Sequence, residues 1–170
     1  TAGAIDLKVD NDSYYNGQFS RNTSWSLKDL TVEKFFDFAD LKPGDWGEDT
    51  ISLHVDNNDS WLCADVTLTS NDDKSSTEPE LETGDALEDP QNSWDGELAH
   101  RVRWYWWADD GDNVLENDER PIHADVPIGT GTVALADSQT NIWGEGPLPG
   151  GSTRYIAKAW CFGSATMIPY

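Results

Sequence analysis

Residues 50–68 read TISLHVDNNDSWLCADVTL, two alternating runs separated by Asn57-Asn58-Asp59. Ile51, Leu53 and Val55 fall on one side of the first run, with Ser52 and His54 on the other. Leu62, Ala64, Val66 and Leu68 line one side of the second. A period of two marks a strand with one buried face, and a polar turn between two such runs predicts a β-hairpin. The same period recurs at residues 3–10, where Ile5, Leu7 and Val9 oppose Asp6, Lys8 and Asp10, ahead of the turn-forming run 11–17. At residues 153–162, Ile156, Trp160 and Phe162 oppose Tyr155, Ala157 and Cys161.

Other stretches fill in the plan. Lys42-Pro43-Gly44-Asp45 follows Phe35, Phe36 and Phe38, and Pro then Gly at its centre predicts a type II turn. Across residues 97–107 a helical spacing (Leu98, Val102, Trp106) competes with an alternating one (Val102, Trp104, Trp106), and the aromatics favour a strand over the C-terminal half. Residues 70–96 are acidic and rich in Ser, Thr, Pro and Gly, which predicts a surface insertion. Short strands between turn signals, without a long helix, predict one all-β domain over residues 1–170, a jelly-roll-like β-sandwich with a long acidic surface insertion.

Thirty-two acidic residues against 11 basic give a net charge of -21, which repels a phosphate backbone and argues against nucleic acid as a partner. The same excess repels itself, so salt, bound divalent cations or placement in loops must offset it. No apolar run reaches the roughly 18 residues of a membrane span, and Thr1-Ala2-Gly3-Ala4 lacks the basic and apolar regions of a signal peptide. The expectation is a processed, secreted protein, extracellular or at the cell surface. In that setting Cys63 and Cys161, each in a strand-like run, are expected to form a disulfide, with two buried thiols as the alternative.

The densest polar cluster is Asp109-Asp110-Gly111-Asp112-Asn113-Val114-Leu115-Glu116-Asn117-Asp118-Glu119. Oxygen ligands at this density suit calcium, with the side chains of Asp110, Asp112 and Glu116, the Val114 carbonyl and Asp118 or Glu119 as the shell. A solvated acidic loop is the equally weighted alternative. His54, His100 and His123 stand apart, and no nucleophile elbow or H-E-x-x-H pattern occurs, so no enzyme is expected. Trp104, Trp106 and Trp107 form either a sugar-stacking platform or, by preference, core and contact surface. Asn11, Asn22 and Asn58 each begin an Asn-Xaa-Ser/Thr triplet and are candidate glycosylation sites.

Taken in order, Thr1-Ala2-Gly3-Ala4-Ile5-Asp6-Leu7, then Asp40-Leu41-Lys42-Pro43-Gly44-Asp45, then Ile51-Ser52-Leu53-His54-Val55-Asp56-Asn57-Asn58 resembles the TasA and camelysin family of exported biofilm-matrix fibre subunits, which includes archaeal bundling pili. The resemblance covers roughly residues 1–69. It implies a jelly-roll subunit whose N-terminal strand completes a sheet in the next subunit, making a homopolymer by donor-strand complementation. On this chain the donor is residues 1–10, with Ile5, Leu7 and Val9 as the inserted side chains. The alternative reading is a secreted calcium-binding carbohydrate-recognition module.

Overall fold

The computed structural model describes residues 6–38, 40–74, 81–82, 84, 89–119, 121–127, 131–144 and 146–163, with the side chains of 123–127 excepted. Nine strands and one helical turn are found among them: β1 (Leu7–Tyr15), β2 (Gln18–Phe19), β3 (Trp25–Lys28), β4 (Trp46–Val55), β5 (Leu62–Val66), α1 (Leu98–Arg101), β6 (Val102–Asp109), β7 (Pro121–Pro127), β8 (Gly131–Ala136) and β9 (Ser152–Phe162). Seven form one antiparallel sheet in the order β2-β1-β4-β9-β6-β7, with β3 also paired to β1, and β5 pairs with β8 in a second, two-stranded sheet. The all-β sandwich expected from the alternations is what forms. No helix among the described residues is long and apolar enough to cross a membrane.

The register sorts side chains onto two faces. Leu7, Val9, Asn11, Ser13 and Tyr15 of β1 stand opposite Val55, Leu53, Ile51, Asp49 and Gly47 of β4. These in turn oppose Ser152, Arg154, Ile156, Lys158 and Trp160 of β9. This is the inner face, and at one end Val9, Ile51, Leu53 and Ile156 pack with Leu135, Ile142 and the half-buried Leu62, Ala64 and Val133 of the small sheet. At the other end Phe36 and Phe38 cover Trp160, with Phe38 and Trp160 centroids 4.3 Å apart. Between the two, Asp49 and Lys158 are buried side by side, Oδ2 to Nζ 3.1 Å. Burial pushes the Asp49 carboxyl up to about 7, and the Lys158 charge only partly opposes this.

Two sequence expectations change. Residues 11–15 are not a turn: β1 runs through them, because Asn11 and Ser13 face inward and Asn11 Nδ2 donates to the Thr23 carbonyl at 2.6 Å. The reversal comes at Asn16-Gly17, both at positive φ (47° and 74°), which suits a tight hairpin to β2. Residues 50–68 do not make a hairpin either, since β4 belongs to the large sheet and β5 to the small one. Asn57–Asp59 is a crossing between layers, pinned by the paired backbone of Ser60 and Leu148. The ambiguous stretch divides as the aromatics suggested, one turn of α1 and then β6. The type II turn is present, with Asp45 N donating to Lys42 O and Gly44 at φ 95°.

Asp45, the last residue of that turn, is 3% exposed and gathers donors: Tyr15 Oη at 2.5 Å, Asn16 Nδ2 at 2.9 Å and the Lys42 amide at 3.0 Å. The Tyr15 bond, followed by the other donors, holds this carboxyl well below the usual range, and the same bond pushes the Tyr15 phenol up to about 12. The insertion is drawn closed at its neck by Asn71, whose amide donates to Ser93 O, whose carbonyl accepts from Gly96 N and whose side chain bonds Gly96 O and Ala99 N.

Candidate functional site

On the outer face of the large sheet the alternation presents polar groups in rows. Asp10, Asp12 and Tyr14 of β1 lie opposite Ser52, Thr50 and Glu48 of β4, and Tyr155 of β9 follows Ser52. The loop after β6 folds back over this surface. Together they enclose an open groove of about 330 Å³, roofed by Gly111, Asp112 and Asn113.

Carboxylates shape that loop by gripping its own backbone. Asp109, 5% exposed, accepts from Gly111 N at 2.8 Å and Asn113 N at 3.3 Å through one oxygen and from Trp107 Nε1 at 3.1 Å through the other. Glu119 takes the amides of Asp110 and Glu116, and Asp112 takes that of Val114. Gly111 lies over Tyr155, where a Cβ would come within 3.2 Å of the ring. Burial raises the carboxyls of Asp109 and Glu48 above their ordinary range and Glu119 to about 7.

The groove thus holds four acidic groups, Asp10, Asp12, Glu48 and Asp112, among the hydroxyls of Thr50, Ser52 and two tyrosines. Its chemistry favours a cation or a ligand rich in hydroxyl donors. Ser52 and His54 extend it: Ser52 Oγ donates to Asp10 and lies 2.8 Å from His54 Nε2, while His54 Nδ1 meets Thr153 Oγ1 at 3.1 Å. With the hydroxyl proton on Asp10, His54 Nε2 must donate to Ser52, the reverse of what would activate a nucleophile.

The sequence candidates are placed as follows. Asp112 lines the groove, but Asp110, Glu116 and Asp118 are exposed around the loop. Among the described residues no three Asp, Glu, His or Cys side chains converge as a metal shell. The calcium set Asp110, Asp112, Val114, Glu116 and Asp118 is therefore not assembled in this conformation; Val114 N instead bonds Asp112 Oδ1.

Cys63 and Cys161 form no disulfide, which corrects the expected pairing. Cys63 is exposed between the inward Leu62 and Ala64 of β5, and Cys161 is buried beside the inward Trp160 of β9, so they point away from each other on opposite outer faces. Leu7 and Val9 are also corrected as donated side chains. Both lie in the chain's own sheet, Val9 at 2% exposure, while Ile5 falls outside the described residues.

Asn11 is fully buried and cannot accept a glycan, whereas Asn22 is exposed in a turn and Asn58 is half-buried. Trp104 and Trp106 face inward and Trp107 outward, so the three share no platform. The groove itself escaped sequence reading because its walls come from β1, β4, β9 and the 110–113 loop. No protein-family model, no curated protein and no solved structure matches the chain.

Proposed function

We propose that this chain is the structural subunit of an extracellular filament, adding a strand between copies of itself. The observation that carries this is the inequality of the two layers. Seven strands face only two, and among the described residues neither β5 nor β8 has a further partner strand. Leu62, Ala64 and Val133 remain half-buried on that small sheet. A strand from a second copy would satisfy an open row of amides and carbonyls and bury these side chains. Because β1 from Leu7 onward belongs to its own domain, the donated segment lies ahead of Leu7, with Ile5 as its apolar side chain. The contact is heterologous and does not close, which yields a fibre.

The charge of -21 then acts as a brake: copies repel at low salt and assemble when screened. The test is polymerisation of the purified chain, and its loss when residues 1–6 are removed.

The groove favours a second reading, a secreted carbohydrate-recognition module aided by calcium. Tyr14 and Tyr155 offer aromatic faces, and Asp10, Asp12 and Glu48 offer acceptors. Such a module stays monomeric in high salt and binds glycans more tightly with calcium.

A further inference from the structure

Lys158 and Asp49 stand in direct register on β9 and β4, the two central neighbours of the large sheet. Their side chains are 8% and 0% exposed, and Nζ lies 3.1 Å from Oδ2. The rings of Phe35, Phe36 and Trp106 enclose Nζ at 4.2, 5.2 and 5.6 Å. Among the described residues Asp49 forms its ion pair with Lys158, and neither of its oxygens receives a well-formed hydrogen bond.

Buried carboxylates ordinarily collect several donors, and a buried ion pair lacking them gains little over its desolvation cost. Passing one proton from the ammonium to the carboxylate removes both charges from this apolar site. The pair then would be an amine in contact with a carboxylic acid, the two reactants of an amide, held together and away from water. Fixed contact supplies the effective concentration that dilute solution lacks, and dryness disfavours the reverse hydrolysis.

We propose that Lys158 and Asp49 become joined by an isopeptide bond formed without any other enzyme. The Nζ lone pair forms a bond to Asp49 Cγ, the Cγ–O bond to the protonated oxygen breaks, and that hydroxyl leaves with a proton from Nζ as water. No oxidant, reductant or cofactor enters the balance. The cross-link ties β4 to β9 at mid-sheet, where the two cysteines supply no bridge, and it does not depend on the filament reading.

The experiment is intact mass measurement of the purified full chain under denaturing conditions, with tryptic mapping. The expected result is a chain lighter than its sequence by one water, a branched peptide joining the β4 and β9 segments, and no cleavage after Lys158. Lys158→Arg and Asp49→Ala chains should show the full sequence mass, a readout that does not require either variant to fold. A wild-type mass equal to the sequence overturns the proposal. So does a water loss that persists in Lys158→Arg, or one that maps to a succinimide at Asp95-Gly96 or Asp110-Gly111.

Discussion

The indole of Trp160 lies directly against Gly47 on the neighbouring strand, so close that a Cβ built on Gly47 would sit 2.5 Å from its Nε1. Trp160 is fully buried and is covered on its other side by Phe38, Phe36 and Tyr15. It has nowhere to retreat.

Gly47→Ala is therefore expected to destabilise the domain by about 1–3 kcal/mol through overpacking. Urea unfolding followed by tryptophan fluorescence measures this. A midpoint equal to the wild type would mean that the indole moves freely, contrary to the packing described.

Native-state thiol labelling separates the cysteines. Cys63 is exposed and should react at once with a maleimide in the folded protein, while Cys161 is about 1% exposed and should react only after unfolding. Two labels per folded chain, or none without reductant, would contradict the arrangement of β5 and β9.

These residues also show how far the sequence could be read. The alternations at residues 50–56 and 153–162 gave β4 and β9 because one face of each is buried in one core, the condition under which period two is visible. The alternation of Leu62, Ala64, Val66 and Leu68 places Cys63 on the outward side of its strand, and that at residues 153–162 places Cys161, next to Trp160, on the outward side of its own. Two outward positions on opposing layers cannot meet, so the missing disulfide was legible in the parity of the strands. Residues 11–15 were not, because Asn11 and Ser13 are polar side chains whose burial depends on partners from another segment, Thr23 in the case of Asn11. Nor was the groove, whose acidic residues lie on alternate positions of strands distant in sequence. Asp49 and Lys158 share the parity of Ile51 and Ile156, so the period alone put both inward; what it could not give was that β4 and β9 pair in the register that sets them opposite each other.

The displaced carboxyls set a pH dependence with a definite sign. Burial raises Glu48 and Asp109, and Glu119 to about 7, so through the interval from the ordinary carboxylate range up to about 7 the folded state binds more protons than the unfolded. Stability then falls as pH rises across that interval. Asp45, held low by Tyr15, and Glu33, lowered to about 2 by Lys28, act oppositely: their contribution is present above the ordinary carboxylate range and is lost below it. At constant ionic strength the melting temperature should be higher at pH 5 than at pH 8 and should drop again below about pH 4. A flat or rising profile from pH 5 to 8 would show that these carboxyls are not buried as described.

The filament reading is tested most directly by negative-stain microscopy of the purified chain in low and high salt, beside a chain that begins at Leu7. Screening should bring the full chain into continuous fibres, and the shortened chain, which keeps all of β1, should stay folded and monomeric. A full chain that stays monomeric at every salt concentration, or a shortened chain that forms the same fibres, would contradict assembly by a strand donated from ahead of Leu7.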